Sequence, residues 1–442
     1  MANVRHPSAL DWRSPLAVLE PVSGRPGTVA LLSDGVGESG RYSYIAVDPV
    51  EVLQVEGRDP GLPLEQLQAL QQRADSSADE QWIFGLAAYE LGHRFESMDL
   101  GVDPLWPLLW AGRYESVLRF DHHERRIEVL GPLSCLLAEV FNLPPAARDS
   151  SRFAGALSGP VIYPAPHIYE TAVTDTVSRI VAGEIFQANL ARSWRGRLLS
   201  GCVPFDVLAR LVTSSPAPYA AFLALDGLAL VSNSPEQFLK VSGRQVVTRP
   251  VKGTRARAPN EREDDVLLQA LQTSEKDRAE NLMIVDLMRN DLSRHCQPGT
   301  VKAPHLFAVE SFSNVHHLVS TVTGVLAQGS GALDLFAACL PPGSITGAPK
   351  VQAMKVIADH ERPRGPYCGS LFKIGPREEL DSSVLIRTLA LVQDEGGWSW
   401  EVRAGAGVVA DSDPHAERVE TDTKVSAILT ALTGEPCHDP AG

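Results

Sequence analysis

No C-x-x-C pair occurs in this sequence, and its six cysteines (Cys135, Cys202, Cys296, Cys339, Cys368 and Cys437) show no zinc spacing. A disulfide framework is therefore not expected, and a reducing cytoplasm is the natural setting. No window of about 18 apolar residues is present. Residues 1–17 lack a basic start followed by an apolar run, so neither a membrane span nor an export signal is expected. Positive charge is also short: 40 Lys and Arg against 54 Asp and Glu leave a formal net charge of −14. That balance argues against a protein whose work is gripping nucleic acid or an anionic membrane. An acidic protein that holds an anionic substrate needs local help from a metal ion or a few arginines.

What is present is the composition of a globular protein, 44% hydrophobic and 21% charged over 442 residues. That length suits two or three domains or one large composite core. Residues 28–32, 42–47 and 51–55 read as short strands, residues 64–74 as a helix, and residues 82–96 as a buried strand running into a helix. His122 and His123 fall in a polar turn, where solvation is more usual than ligation. A Pro, Ser, Ala and Gly-rich stretch over 143–166 reads as a connection. It separates a β-rich N-terminal subdomain, 1–150, from a catalytic domain, 160–435. Beyond it a helix is expected over 168–182, strands over 221–231 and 238–249, two helical pieces over 264–294 and a strand over 321–326. A helix over 348–360, strands over 385–392 and 398–404, and a last helix over 414–432 follow.

Within Arg249-Pro250-Val251-Lys252-Gly253-Thr254-Arg255, proline and glycine hold a bend next to Lys252. Two nearby arginines and partial burial would each push its amine toward the neutral, nucleophilic form. Taken alone, a lysine in a turn is usually a solvated charge. Two helices carry stacked acids. Ser274 can cap a helix with Asp277 and Glu280 on one face, and Asp413 can cap another, with Pro414 at its first position and Glu417, Glu420 and Lys424 on one face. If the faces converge, a divalent cation would relieve the repulsion, and oxygen-only ligands favour Mg2+. The alternative is two solvated acidic helix starts that suit the helix dipole.

Two glycine-rich strings offer backbone donors to an anion. The first, Gly343 to Lys350, contains Ser344, Thr346 and Gly347, and lacks Walker spacing. The second, Gly405-Ala406-Gly407, follows a strand without the βαβ unit of a dinucleotide site. Glu236, between strands, is a candidate general acid or an ordinary turn carboxylate. His317 is a candidate active-site imidazole or a satisfied core histidine.

Taken together, GEIFQANL (183–190), SPEQF (234–238), RPVKGTRAR (249–257), SEKDRAENLMIVDLMRNDL (274–292), VHHLVST (315–321), GSITGAPK (343–350), IRTLA (386–390), AGAGVVADS (404–412) and E-x-x-E at 417–420 resemble the chorismate-utilising enzymes. The likeness is strongest to their aminodeoxychorismate synthase component I branch. It implies an α+β fold of the four-layered anthranilate synthase component I type, with two orthogonal β-sheets flanked by helices. The implied reaction converts chorismate and ammonia to 4-amino-4-deoxychorismate, a precursor of 4-aminobenzoate and folate, in the cytoplasm. The ammonia would come from a separate glutaminase subunit forming a heterodimer, since no glutaminase Cys-His-Glu block is present, and no fused lyase is expected after the last motif.

By the same resemblance Glu280 and Glu420 would bind Mg2+, with Asp277 and Glu417 behind them. Arg387, Lys424 and the backbone of Gly405, Ala406 and Gly407 would hold carboxylates, with Gly343, Ser344, Thr346 and Gly347 lining the pocket. His317 would sit near the departing 4-hydroxyl, with Glu236 as general acid. Lys252 would attack ring atom C2, where anthranilate synthases are expected to carry alanine, and Gln187 stands where isochorismate and salicylate synthases carry a water-activating lysine. Ser33, Pro218 and Tyr219 mark a possible tryptophan site. Residues 369–374 read GSLFKI, placing Phe372 and Lys373 where the family usually has a Gly-Tyr pair. The alternatives are anthranilate synthase component I in tryptophan biosynthesis, or a non-catalytic regulatory protein on the same fold.

Overall fold

The computed structural model describes residues 9–36, 40–59, 61–77, 81–96, 98, 100–132, 140, 155–312 and 315–435, so residues 143–154 of the expected connection lie outside the described residues. In chain order the first elements are Ala9–Leu10 (β1), Pro15–Leu19 (α1), Val29–Leu32 (β2), Tyr42–Ala46 (β3), Glu51–Val55 (β4), Pro63–Asp75 (α2), Trp82–Ala87 (β5), Gly92–Phe95 (α3), Leu109–Tyr114 (β6), Val117–Asp121 (β7) and Arg126–Leu130 (β8). There follow Pro166–Val181 (α4), Gln187–Arg197 (β9), Pro204–Ser214 (α5), Tyr219–Ala224 (β10), Leu228–Ser234 (β11), Gln237–Ser242 (β12), Gln245–Thr248 (β13), Val251–Ala256 (β14), Glu261–Thr273 (α6) and Glu275–Ser293 (α7). The last are Lys302–Ser311 (β15), Val315–Val325 (β16), Ala332–Cys339 (α8), Gly347–Ala348 (β17), Lys350–His360 (α9), Ser370–Gly375 (β18), Glu379–Val384 (β19), Thr388–Asp394 (β20), Gly397–Val408 (β21) and Pro414–Thr433 (α10).

The helix boundaries follow from their capping residues. The Ser274 hydroxyl accepts from the Asp277 N–H at 3.2 Å and the Asp413 carboxylate from the Ala416 N–H at 2.8 Å, each satisfying a donor left free in the first turn. Pro414 occupies the first turn of α10, where its missing N–H costs no hydrogen bond.

Among the described residues the strands form two sheets, ordered β1-β8-β7-β3-β2-β10-β11-β20-β21-β9-β17 and β14-β16-β13-β12-β19-β18-β5-β6-β4, with β15 also pairing β16. Val29, Ala221, Leu223 and Leu230 of the first sheet pack on Phe84, Leu86, Trp110 and Leu371 of the second. The outer face of the first sheet is covered by α1, α5 and α10 through Leu19, Leu208 and Leu429. The outer face of the second is covered by α2, α7 and α8 through Leu70, Ile284 and Phe336. Helix, sheet, sheet, helix is the four-layered α+β arrangement expected from the sequence.

Other expectations need correction. The N-terminal third builds no sheet of its own: β2 pairs with β10 (Ala30↔Phe222) and β5 with β18 (Leu86↔Leu371), so the 1–150 and 160–435 boundary does not separate the sheets. Residues 221–231 and 238–249, read as single strands, are hairpins broken at Asp226-Gly227 and Gly243-Arg244. Strands β9, β15 and β19 are among those that went unread; β9 alternates buried Leu190 and Trp194 with polar residues and carries three arginines, which mask its period. His123 is exposed as expected, while His122 is only half-buried, with its Nε2 2.7 Å from Ser43 Oγ.

Candidate active site

The site forms where β14 meets the acidic faces of α7 and α10. Val251 pairs with Val319 and Thr254 with His317, leaving Lys252 and Gly253 opposite a single residue of β16. This bulge is possible because Gly253 takes a φ of +83°, and bulges of this kind re-aim side chains beside active sites. Lys252 thus lies inside a strand rather than in a turn at its mouth. Enclosure by protein holds its amine below the ordinary value, assisted by Lys424 and opposed by Glu280, Glu236 and Glu420. The arginines expected to act on it do not: Arg249 pairs with Glu310, and Arg255 with Asp277 at 2.7 Å.

Glu236 is buried between β11 and β12. Burial pushes its carboxyl up to about 7, although the Ser344 hydroxyl, Lys252, the Val251 N–H and Lys424 all favour the charged form. His317 is also buried, and desolvation with Arg387 and His316 holds its imidazole down to about 3, so the ring is neutral. Its Nδ1 is 2.8 Å from Thr254 Oγ1, a partner two residues from Lys252 that sequence reading missed. Arg387, at a φ of +51°, is pushed below the ordinary arginine value by burial. It has no ion-pair partner among the described residues, which suits an anion receptor.

The glycine strings are built differently from the expectation. Gly405, Ala406 and Gly407 lie inside β21, paired to Ala191, Leu190 and Asn189 of β9. A Cβ on Gly407 would come within 2.3 Å of Gln187 Nε2 and 3.8 Å of Lys252 Nζ, so the bare backbone lets those two side chains share one space. Lys424 Nζ donates to the Gly405 carbonyl at 2.9 Å. In the other string, Ser344 reaches Glu236. Gly343 packs on Leu287 of α7, and the Thr346 hydroxyl turns inward onto the Pro342 carbonyl at 3.2 Å. Gly347 has a φ of +145°, and a Cβ there would meet the Gln187 carbonyl at 2.1 Å. The string is a 3-10 turn and a short edge strand, not a helix start, and α9 begins only at Lys350.

The four acids come together, with lysines between them. Burial raises the carboxyls of Glu280 and Glu417, and Glu420 adds to the rise in both. Lys276 Nζ stands 3.9 Å from Glu280 Oε1 and 3.8 Å from Glu417 Oε1. Glu420 pairs with Lys424 at 2.6 Å, Glu417 accepts from Ser412 at 2.7 Å, and Asp277 is engaged by Arg255. Among the described residues no three acidic, His or Cys side chains are close enough together to hold a metal as they stand. The donor set, all carboxylate oxygen and held in excess on facing helices, nevertheless suits Mg2+, which keeps waters and takes few protein ligands. Sequence reading missed Lys276, although its position four residues before Glu280 was the available signal.

Behind Lys252 and Glu236 lies a cavity of about 420 Å³ lined by Pro235, Gln237, Val251 and His317. Pro218 and Tyr219 line it and also a neighbouring cavity of about 50 Å³. Lys373 lines the smaller one and stacks 4.4 Å from the Tyr44 ring centroid. Ser33 Oγ donates to the Gly40 carbonyl at 2.6 Å. Phe372 is buried 5.2 Å from Phe336 in the second sheet's core, where it cannot touch a ligand in the cleft.

A family model described as chorismate binding enzyme matches residues 29–430. Aminodeoxychorismate synthase component 1 of Escherichia coli (strain K12) is 35% identical, with 89% of this chain and 90% of that one aligned. Anthranilate synthase component 1 of Streptomyces coelicolor is likewise 35% identical, with 96% and 87% aligned. The crystal structure of anthranilate synthase component I from Streptococcus pneumoniae superposes with a TM-score of 0.75 at 27% identity, covering 88% of this chain and 92% of that one. The menaquinone-specific isochorismate synthase of Escherichia coli gives a TM-score of 0.76 at 19% identity over 97% and 95%, a likeness of fold alone.

Proposed function

We propose a function from one premise: the chain belongs to the chorismate binding enzyme family. Within it, we read the chain as a component I that converts chorismate and ammonia to 4-amino-4-deoxychorismate, the ammonia being delivered by a separate glutaminase subunit. The observation that carries this reading is Lys252, an enclosed amine of lowered proton affinity beside Glu236, a carboxyl poised near neutrality.

The free amine of Lys252 bonds to ring atom C2, the two ring double bonds shift, and the C4–O bond breaks. Glu236 gives its proton to the departing hydroxyl, which leaves as water. Ammonia then bonds to C4, the double bonds return, the C2–N bond breaks, and the new ammonium returns a proton to Glu236. Chorismate and ammonia are thereby exchanged for product and water. With Nδ1 engaged by Thr254, the Nε2 of His317 is the nitrogen left to face the 4-hydroxyl. Arg387 and Lys424 are the cations available to the substrate carboxylates. Glu280 and Glu420 would hold Mg2+, backed by Asp277 and Glu417, and the ion would neutralise the ring carboxylate. Gln187 carries an amide with no basicity, which favours amination over activation of water.

Relatives of equal identity divide between aminodeoxychorismate and anthranilate synthases, so the product decides. Incubation with chorismate, Mg2+ and an ammonium salt is expected to give aminodeoxychorismate. Fluorescent anthranilate as the main product would replace this reading with the rival. Intact-protein mass with and without chorismate tests the covalent step.

A further inference from the structure

Lys276 lies in the first turn of α7 and sends its ammonium between the carboxylates of two different helices, 3.9 Å from Glu280 and 3.8 Å from Glu417. Neither distance is that of a close hydrogen-bonded pair, so the ammonium sits astride both acids rather than bound to either. Its side chain is 55% exposed, against 4% for that of Glu417, so a route into solvent is open to it. The neighbouring lysine, Lys424, is held at 2.6 Å by Glu420 and at 2.9 Å by the Gly405 carbonyl, and is anchored by comparison. A divalent ion held by Glu280 and Glu420 would approach the Glu280 oxygens to about 2.1 Å, so it would compete with the ammonium for the carboxylate that the ammonium now faces at 3.9 Å. Two positive species that close would also repel each other strongly in a partly enclosed site.

We propose that Lys276 is a resident counter-cation that keeps the facing acids of α7 and α10 compensated in the metal-free protein and withdraws into solvent when a divalent ion enters. The inference rests on the Mg2+ reading of these acids and adds to it a regulatory consequence. Because the ion must displace a charge already in place, Mg2+ alone binds weakly, and tight binding waits for the additional anionic oxygens of the substrate.

The test uses the full chain and Mg2+ alone. Calorimetric titration without chorismate is expected to give a dissociation constant about tenfold lower for Lys276→Met than for wild type, with Lys276→Arg staying near wild type. Acetic anhydride labelling read by peptide mass spectrometry distinguishes displacement from simple charge removal. Labelling of Lys276 in the wild type is expected to rise on saturation with Mg2+, while that of exposed Lys240 stays constant. An unchanged or weaker constant in Lys276→Met, or unchanged labelling of Lys276 at saturation, overturns the counter-cation role and leaves the metal site intact. Failure of wild type and Lys276→Met alike to bind Mg2+, with chorismate present or absent, removes the metal reading and this role with it.

Discussion

Helix α10 presents charges on two faces, and the two are arranged by different rules. Toward α4 and β9, Arg192 meets Asp422 at 2.8 Å and Arg418 meets Glu170 at 2.9 Å, cation to anion at hydrogen-bonding distance. Toward the cleft, Glu417 and Glu420 confront Glu280, and Lys276 stands off at nearly 4 Å from its two acids. The first face consists of closed pairs that hold the helix in place. The second, although Glu420 is closed on Lys424 and Asp277 on Arg255, keeps Glu280 and Glu417 without a close ion pair among the described residues and like charges together, an arrangement that lowers stability unless a ligand uses it. One helix therefore serves as both anchor and wall of the site.

This contrast can be broken or sharpened by mutation, and the largest effect belongs to the cleft. Lys252→Ala is expected to lower aminodeoxychorismate formation at least about a thousandfold, with an unchanged melting midpoint and any residual turnover diverted toward anthranilate. Retention of the original product at the original rate would remove the covalent role. Glu280→Gln or Glu420→Gln is expected to abolish activity and to weaken Mg2+ binding by about a hundredfold or more. An unchanged calorimetric titration in either variant would show that the ligands lie elsewhere.

Glu236 gives a pH-dependent effect whose sign follows from linkage. Its carboxyl rises from 4.5 to about 7 on folding, so the stabilising contribution is complete below about 4.5 and is lost as pH rises through about 7. The melting midpoint of wild type relative to Glu236→Gln should therefore fall between pH 5 and pH 9, by the equivalent of about 3 kcal/mol at most. A difference that is flat with pH would mean that the carboxyl is not desolvated. The smallest effect is expected on the anchoring face. Asp422→Asn leaves the buried Arg192 short of a partner, but Asp422 is itself 27% exposed. A loss of about 1–2 kcal/mol is reasonable after allowing for solvent, with kcat/KM unchanged. A large fall in kcat/KM would mean that the two faces are not independent.

The acids and their caps were legible in the sequence because they are local. Ser274, Asp277 and Glu280 fall within the first two turns of one helix, and Asp413, Pro414 and Glu417 at the start of another, so spacing alone places the acids of each on one face. Whether the two faces meet was not legible, because it depends on strands β14 and β21 lying in different sheets. The cause of the lysine shift was also misread. Adjacent arginines looked decisive in sequence, but Arg249 and Arg255 each found an acid outside the local stretch. Helix α7 carries Lys276 four residues before Glu280, yet nothing along the chain reveals that Glu417 lies on the other side of its ammonium. The hairpins at Gly227 and Gly243 had a local signal, Asp226-Gly227 and Ser242-Gly243 between β-like runs, and reading through those turns merged each pair of strands into one.

The pairing of β2 with β10 and of β5 with β18 bears on how the molecule is made. The first 130 residues leave the ribosome with strands whose neighbours have not yet been synthesised, and β5 must wait for a strand nearly 290 positions later, at Ser370–Gly375. Contacts that distant close slowly, and unpaired edges exposed meanwhile invite aggregation. Expression of residues 160–435 alone would leave β10 and β18 each with an open edge, so a shortened gene product should be insoluble rather than a smaller working catalyst.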